Sequence, residues 1–199
     1  MPLTTASLRA AITGIGARLE QEHEKLSALD AQLGDGDLGV TLLKAFRALE
    51  ALKDSLPDDL ARALLTAGSA VSRVSSSSFG TLMATALIAV AKDSKDKTRI
   101  EWSELSRLVT FAREAMQVRG KASLGDKTVL DSLAAIEAAL SGLDDPAAQL
   151  VAARAAAVRA LIDFRDKPNR IGRARVYAER SVGLDDPGMM AMAVMLEGL

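Results

Sequence analysis

Apolar residues recur at helical spacing along nearly the whole chain. The first series runs through Leu8, Ile12, Ile15, Leu19, Leu26 and Leu29 and predicts a helix over about residues 6–29. Seven further apolar stretches predict helices that begin near Val40, Leu60, Gly80, Leu105, Val129, Pro146 and Gly188. Because no stretch requires a β-strand and the connections are short, we expect an all-α fold. It would be one domain over residues 1–199, an antiparallel eight-helix bundle or barrel.

Turn and capping residues set the expected limits of several helices. Asp58 or Asp59 is placed to cap the third helix, and Ser103 to cap the fifth. Phe111 falls in the apolar series of the fifth helix, so we expect it to point inward. Residues 170–186 show no clean helical stripe and are expected to form a long connection before the last helix.

Alternate connections of an up-and-down bundle lie at the same end. The connections after the first, third, fifth and seventh helices are residues 30–39, 73–79, 120–127 and 167–186. They contain nearly all the distinctive polar residues of the chain, whereas the other three connections resemble ordinary charged turns. The pattern therefore predicts a site built by four loops at one end, with the layout of a phosphate and metal site.

The first of these loops holds three carboxylates within eight residues, Asp30, Asp35 and Asp37, separated by glycines. Where a helix runs into a tight glycine-rich loop, this spacing lets all three converge on one point. Clustered carboxylates repel one another, and a hard divalent cation such as Mg²⁺ or Ca²⁺ best offsets that repulsion. The alternative is a solvated acidic turn, since Asp and Gly are common turn residues. With the other loops beside it, we interpret this one as a nucleotide and metal site.

Each of the other three loops has a phosphate-binding and a structural interpretation. The serines at 75–78 can offer hydroxyl and N–H groups at a helix N-terminus, or form a capped polar turn. Lys127 and Thr128 can supply a cation and a hydroxyl near an oxyanion, or begin a helix that Asp126 caps. Four arginines of the last loop can clamp phosphate oxygens or simply lie at the surface. They are Arg170, Arg173, Arg175 and Arg180.

Composition narrows the classes of function. The chain has 199 residues, no cysteine, a single histidine and a formal net charge of −1. These features exclude disulfides, thiolate catalysis and multi-histidine metal sites, and they argue against a nucleic-acid partner. The histidine, His23, lies on the polar side of the first helix and is expected to be a surface residue with no catalytic role. Without a membrane-length apolar run or a signal-peptide layout, we expect a cytoplasmic protein with no membrane partner.

Taken together, the four loops resemble the L subunit of dihydroxyacetone kinase (DhaL), the nucleotide-binding part of that enzyme family. The matching stretches are Leu29-Asp30, Gly34-Asp35-Gly36-Asp37 with Gly39, Gly120-Lys121-Ala122, Gly125-Asp126-Lys127-Thr128, Gly172-Arg173-Ala174, Glu179-Arg180-Ser181 and Asp186-Pro187-Gly188. They occur in family order and at family spacing over nearly the whole chain. Each match is weak alone, but the ordered combination is specific.

The resemblance implies an eight-helix barrel that holds ADP or ATP at one rim with Mg²⁺, as two ions. It implies Asp30, Asp35 and Asp37 as Mg²⁺ ligands and, with Arg173, as the catalytic groups. The residues it implies around the nucleotide are Leu38, Gly39, Thr41, Ser77, Ser78, Thr128, Arg173, Asp186, Pro187 and Gly188. It also implies a partner K subunit that holds the ketose covalently on a histidine of its own. Some family members recharge a bound ADP from a phosphotransferase-system protein, and others use ATP.

The chain departs from the family pattern near two of the loops. Leu38 stands where the family usually has histidine, and Ser75-Ser76 replaces a Gly-Gly pair. Loss of glycines limits how closely a backbone can approach a phosphate. The leading hypothesis is a kinase subunit acting on dihydroxyacetone or a similar short ketose. The alternatives are a binding or regulatory module with impaired catalysis, and a purely structural helical bundle.

Overall fold

Eight α-helices make up most of the chain in the computed structural model, which describes residues 2–75 and 77–199. The helices are α1 (Thr5–Leu33), α2 (Leu38–Leu52), α3 (Leu60–Val74), α4 (Ser78–Asp93), α5 (Leu105–Gly120), α6 (Val129–Leu140), α7 (Pro146–Arg165) and α8 (Pro187–Glu197). Short 3-10 helices cover Lys53–Ser55, Trp102–Glu104 and Arg173–Ser181. Within the described ranges, β pairing is limited to an isolated bridge between Leu3 and Ile100. The prediction of an all-α fold is confirmed.

Each helix packs against the next one along the chain, and α8 returns to pack against α1. This ring of contacts closes the bundle into a barrel. Helices joined by short connections run antiparallel. The last turns of α1, α3, α5 and α7 therefore meet the first turns of α2, α4, α6 and α8 at one end of the barrel.

The barrel interior is apolar and depends on close approach between helices. Ile12, Leu19 and Leu26 repeat every seven residues along α1 and are buried. Gly68 of α3 lies against α4, where an added Cβ would come within 2.8 Å of Ile88 Cγ1. Small residues at such positions let neighbouring backbones approach each other. Among the described residues, no helix combines the length and the hydropathy needed to cross a membrane.

Two helices at the end of the barrel that carries the four polar loops are longer than their apolar patterns predict. α1 continues past residue 29 to Leu33, so Asp30 belongs to its last turns and not to the loop. α4 begins at Ser78, two residues earlier than predicted. At the other end, Asp59 is the cap of α3, because its Oδ1 accepts a hydrogen bond from the Arg62 N–H at 2.8 Å. Of the two predicted alternatives, the cap of α3 is therefore Asp59 and not Asp58.

The start of α5 and one of its side chains differ from expectation. The prediction that Ser103 caps this helix is wrong, because Ser103 lies inside a 3-10 turn and Glu104 immediately precedes α5. Phe111 was expected to point inward, but 38% of it is exposed. The Arg107 guanidinium lies over its ring, 5.3 Å from the centroid. Phe111 sits at the edge of the buried face, where the helical period alone cannot assign a side.

Candidate functional site

A cavity of about 540 Å³ opens where the four predicted loops meet. Its polar lining comes from the last turns of α1 and α5, from the loops, and from the first turns of the helices that follow the loops. Its apolar lining includes Leu33, Phe79, Leu82, Met116, Val129 and Leu130. The loops that the bundle parity assigns to one end therefore surround one shared cavity.

The acidic cluster lies on this cavity. One carboxylate oxygen from each of Asp30, Asp35 and Asp37 lies within 4.8 Å of the others. Asp30 extends from the end of α1, and its Oδ2 accepts a hydrogen bond from the Leu38 N–H at 3.2 Å. The turn between them is possible because Gly36 adopts a φ of +74°, which glycine tolerates without strain. Three converging oxygen donors of this kind suit a hard cation such as Mg²⁺.

A single arginine from the last loop reaches this cluster. The Arg173 guanidinium forms an ion pair with Asp35, and its Nη1 lies 3.9 Å from Asp37 Oδ1. The other three candidate arginines do not line the cavity. One of them, Arg180, stacks over the Tyr177 ring at 5.4 Å from its centroid. Of the four candidate arginines, Arg173 is therefore the one placed to meet a phosphate group in this cavity.

The serine loop ends as the cap of α4. Ser77 is buried, and its Oγ accepts a hydrogen bond from the Gly80 N–H at 3.1 Å. Ser77 and Ser78 both line the cavity, so this helix presents its N-terminus to it. Ser75 lies beside Gly80, where an added Cβ would come within 2.1 Å of the Ser75 Oγ. Ser76, the second residue at the replaced Gly-Gly pair, lies outside the described residues.

The first turn of α8 contributes a buried carboxylate. Asp186 caps this helix, since its Oδ1 accepts from the Met189 N–H at 2.9 Å. Its Oδ2 accepts from Nδ2 of Asn169 at 2.8 Å. Burial raises the pKa of Asp186 to about 6, although the hydrogen bonds it accepts and the nearby Lys127 charge oppose this. Pro187 and Gly188 complete this side of the cavity.

The structure decides between the two interpretations of Lys127 and Thr128 at the start of α6. Thr128 is the cap of α6, accepting from the Leu130 N–H at 3.2 Å, whereas Asp126 accepts from the Ser123 N–H instead. Lys127 does not offer its charge to the cavity, because the side chain is fully buried and its Nζ donates to three backbone carbonyls. Of this pair, only Thr128 lines the cavity.

Most residues that the family resemblance implied meet around the cavity. They are Asp30, Asp35, Asp37, Leu38, Ser77, Ser78, Thr128, Arg173, Asp186, Pro187 and Gly188. Gly39 and Thr41 are buried on α2 and are not among the lining residues. At Gly39 an added Cβ would lie 1.9 Å from the His23 carbonyl oxygen, so this glycine lets α2 pack closely on α1. His23 itself is half-buried and does not line the cavity.

Two supporting residues were missed from the sequence. Asp131 accepts from the Gly125 and Thr128 N–H groups, at 2.6 and 2.8 Å, and so shapes the turn before α6. Burial raises the pKa of the Asp131 carboxyl. Its position three residues after Thr128 is a capping-box signal that could have identified it. Asn169 joins Asp186 to the Lys127 carbonyl through its Nδ2, and no local pattern marks it.

The comparisons with known proteins all point to the same family. A family model described as the DAK2 domain matches residues 32–199. The chain is 32% identical to the ADP-binding subunit DhaL of PEP-dependent dihydroxyacetone kinase 2 from Listeria innocua, covering 93% of this chain and 90% of the relative. It is 28% identical to the ADP-binding subunit DhaL of the PEP-dependent dihydroxyacetone kinase from Escherichia coli, covering 100% and 97%.

A solved structure has the same fold. The dihydroxyacetone kinase from C. freundii, crystallised in complex with AMP-PNP and Mg²⁺, superposes with a TM-score of 0.77 at 24% sequence identity. The match covers all of this chain and 34% of the kinase chain, so this chain spans about a third of that protein. The likeness shows that this chain and that part of the kinase share a fold.

Proposed function

The chain belongs to the DAK2 domain family, and from that premise we propose that it is the nucleotide-binding subunit of a dihydroxyacetone kinase. In this proposal residues 1–199 form one DhaL-like domain. It passes phosphate from a bound nucleotide to dihydroxyacetone, or a similar short ketose, that a partner K subunit holds. The relatives named as ADP-binding DhaL subunits support this role, because the match covers 90% and 97% of their lengths.

The observation that carries the proposal is the meeting of the acidic cluster with Arg173 on one cavity. Carboxylate oxygens of Asp30, Asp35 and Asp37 within 4.8 Å of one another are a donor set that Mg²⁺ accepts. Mg²⁺ held by few carboxylates usually completes its shell with water and phosphate oxygens. The ion pairing of Arg173 with this cluster indicates that the carboxylates favour a positive partner. The residues present therefore fit the ion.

The remaining lining suits the two parts of a nucleotide. The first turns of α4, α6 and α8 line the cavity, and a helix N-terminus binds phosphate through its N–H groups and dipole. Phe79, Leu82 and Met116 offer apolar surface for a base or ribose. A volume of about 540 Å³ falls within the range of roughly 300–1,000 Å³ typical of small-molecule sites.

Phosphoryl transfer asks the protein mainly for positioning and charge neutralisation. Asp30, Asp35 and Asp37 would hold Mg²⁺, which when bound neutralises charge on the phosphate oxygens. Arg173 can exchange its carboxylate partners for phosphate oxygens, because a guanidinium binds both kinds of oxyanion through paired N–H groups. The N–H groups at the helix N-termini orient the phosphates. The two Mg²⁺ ions implied by the family resemblance stay a prediction.

The acceptor and the donor come from other proteins in this proposal. The one histidine of the chain, His23, is not among the cavity-lining residues, so we assign the covalent hold on the ketose to the K subunit. Both DhaL relatives are named as parts of PEP-dependent kinases. We therefore propose that a phosphotransferase-system protein recharges bound ADP, with ATP as the other donor to be tested.

Calorimetric titration with ADP and ATP, each with and without Mg²⁺, tests nucleotide binding. We expect Mg²⁺-dependent binding that Asp35→Ala abolishes while circular dichroism shows an intact helical fold. Asp144→Ala is the matched control, because Asp144 is an exposed carboxylate that does not line the cavity. Unchanged Mg-ADP affinity in a folded Asp35→Ala variant would contradict the proposal.

Turnover separates the kinase subunit from its non-catalytic alternative. Leu38 at a usual histidine position and the serines at 75–76 favour that alternative, a binding module of the same fold. The chain is mixed with its cognate K subunit, dihydroxyacetone and either ATP or a PEP-driven phosphoryl donor, and the phosphorylated ketose is measured. Product formation supports the kinase subunit. Tight nucleotide binding with no product from either donor identifies the binding module.

A further inference from the structure

Lys127 is a fully buried cation beneath the cavity. None of its surface is exposed, and it does not line the cavity. Its Nζ donates to the carbonyl oxygens of Arg165, Lys167 and Ser181 at 2.9, 2.8 and 2.8 Å. An ammonium group has three N–H donors, so these bonds use all of them. The side chain thus ends in a complete hydrogen-bond shell made of backbone.

Burying the Lys127 ammonium group is energetically unfavourable, so we asked what the fold gains from it. Burying an ammonium group away from water costs free energy even when its hydrogen bonds are satisfied. Burial accordingly lowers the pKa of Lys127, while the charges of Asp185 and Asp186 act in the opposite direction. The backbone at this residue is left-handed as well, with a φ of +62° that disfavours a side chain.

The three carbonyls lie on both sides of the segment that carries Arg173. Arg165 and Lys167 come before the 3-10 helix Arg173–Ser181, and Ser181 is its last residue. One ammonium group therefore closes the base of a loop whose far side reaches the acidic cluster. The Gly183 N–H also donates to the Arg165 carbonyl, at 2.9 Å, and reinforces this closure.

Asn169 extends the same arrangement to α8. Its Nδ2 donates to the Lys127 carbonyl at 2.7 Å and to Asp186 Oδ2 at 2.8 Å. Its backbone N–H donates to Ser181 Oγ at 2.8 Å. The Lys127 side chain and backbone are thereby joined to the Arg173 loop on one side and to the cap of α8 on the other.

Given the proposed nucleotide site, on which this inference rests, we propose that Lys127 is a positioning residue for nucleotide binding. Its buried ammonium fixes the loop that presents Arg173 and, through Asn169, the Asp186 side of the cavity. It touches no part of the nucleotide. Groups that orient metal ligands from behind typically change metal affinity or activity about 10- to 100-fold when removed, and we expect an effect of the same order here.

Lys127→Gly tests this with a matched control in the same connection. Glycine accepts the left-handed backbone, so the variant removes the ammonium without adding strain. Lys121 is also left-handed, with a φ of +52°, but it is exposed and does not line the cavity. We expect Lys127→Gly to weaken Mg-ADP binding at least tenfold, and Lys121→Gly to leave it unchanged. Titrations are made where circular dichroism shows every variant fully folded.

A double-mutant cycle with Arg173→Gln separates positioning from general destabilisation. If Lys127 acts through the Arg173 loop, the double variant loses much less affinity than the product of the two single losses. Losses that multiply would overturn the proposal. If Lys127→Gly does not fold, Lys127→Met replaces it in the same cycle, because it keeps the buried stem and removes only the ammonium group; a several-fold loss and the same lack of multiplication are expected. Unchanged affinity or multiplying losses in that variant overturn the proposal equally.

The two proposals fail in different ways. If the unaltered chain does not bind Mg-ADP, or if Arg173→Gln binds it equally tightly, the nucleotide site itself is wrong. If the chain binds Mg-ADP, Arg173→Gln weakens binding and folded Lys127→Gly does not, only the role of Lys127 is wrong.

Discussion

The first and last loops reach the same cavity by opposite means. Residues 34–37 form a short turn between α1 and α2, and two of the three acidic residues lie at or beside the helix ends. Residues 166–186 form a long connection that is fastened by hydrogen bonds from Lys127 and Asn169. Local chain geometry thus arranges the acidic side of the site, and contacts between distant residues arrange the arginine side.

The two loops also treat charge differently. The three carboxylates of the acidic cluster are exposed or half-buried, and two of them, Asp35 and Asp37, have Arg173 as an ion-pair partner. The last connection instead depends on charges that are buried, the ammonium of Lys127 and the carboxyl of Asp186. Exposed like charges leave room for an added cation, whereas buried charges with complete hydrogen bonds hold a backbone in place. We expect variants of the two loops to fail in correspondingly different ways.

The largest expected effect is on metal-dependent binding. Asp37→Asn removes one converging carboxylate, so we expect Mg-ADP affinity to fall at least about 100-fold, or about 3 kcal/mol. ADP alone is expected to bind no more weakly, since the variant also removes a negative charge near the phosphates. Arg173→Gln should weaken both forms. Calorimetry with and without Mg²⁺ measures the affinity of each variant for ADP and for Mg-ADP. If Asp37→Asn weakened the binding of ADP and of Mg-ADP equally, the acidic cluster would not act through Mg²⁺.

The next effect is a pH dependence of stability from Asp186. Its folded pKa of about 6 lies above the ordinary value of 3.8, so the folded state holds its proton longer than the unfolded state. Stability should therefore decrease as the pH rises from about 4 to about 7, by at most about 3 kcal/mol. Denaturant unfolding of the wild type and of Asp186→Asn, compared at each pH, isolates this contribution.

The control for this pH dependence of unfolding is Asp145→Asn. Asp145 caps α7 as Asp186 caps α8, with its Oδ2 accepting from the Ala148 N–H at 2.8 Å, but it is exposed. Any steric or donor mismatch that the asparagine of Asp186→Asn introduces beside Asn169 is independent of pH. It therefore shifts the free energy of unfolding without changing the slope of that free energy against pH. A wild-type stability that rises relative to Asp186→Asn between pH 4 and 7 would refute the assigned pKa direction.

A third prediction concerns the packing that supports the first loop. Gly39→Ala would bring a Cβ against the His23 carbonyl, so we expect a loss of about 1–3 kcal/mol in the free energy of unfolding. Gly16 is the control, because an added Cβ there meets nothing within 4 Å. Gly16→Ala should stabilise the helix by about 0.5–1 kcal/mol. Equal stabilities for the two variants in urea unfolding would show that α1 and α2 are not in close contact at Gly39.

The smallest expected effect is at the cap of α6. Thr128→Ala removes the acceptor for the Leu130 N–H, which should cost about 1 kcal/mol of stability, and Thr128→Ser should restore most of it. Thermal unfolding of the three proteins measures the change. A Thr128→Ser variant as unstable as Thr128→Ala would indicate that the methyl group, and not the hydroxyl, stabilises this position.

Much of the fold could be predicted because its signals are local. The helical period located all eight helices, and turn chemistry limited the cap of α3 to Asp58 or Asp59 and identified Pro146 as the start of α7. The ends were less certain: α1 runs on to Leu33 because the period alone does not mark where a helix stops. Ser103 failed as a cap because a 3-10 turn intervenes before α5, which no pattern in its neighbours predicts.

The candidate site was predictable in part. The spacing of Asp30, Asp35 and Asp37, with the parity of the helices, was enough to expect their convergence at the end that also carries the last loop. The role of Gly39 was not, because a lone glycine near an acidic loop does not indicate whether a ligand or another helix approaches it. Here the approaching group is the α1 backbone.

The sequence by itself determined the all-α class, the end of the bundle that carries the polar loops and the acidic cluster, because periodicity, turn residues and parity are properties of neighbouring residues. Only the tertiary structure decided which cation serves which purpose. Arg173 reaches the cluster while Lys127 turns inward to a carbonyl 54 residues away, that of Ser181. A lysine and an arginine in adjoining loops look alike in sequence, and burial between distant segments is what separates them.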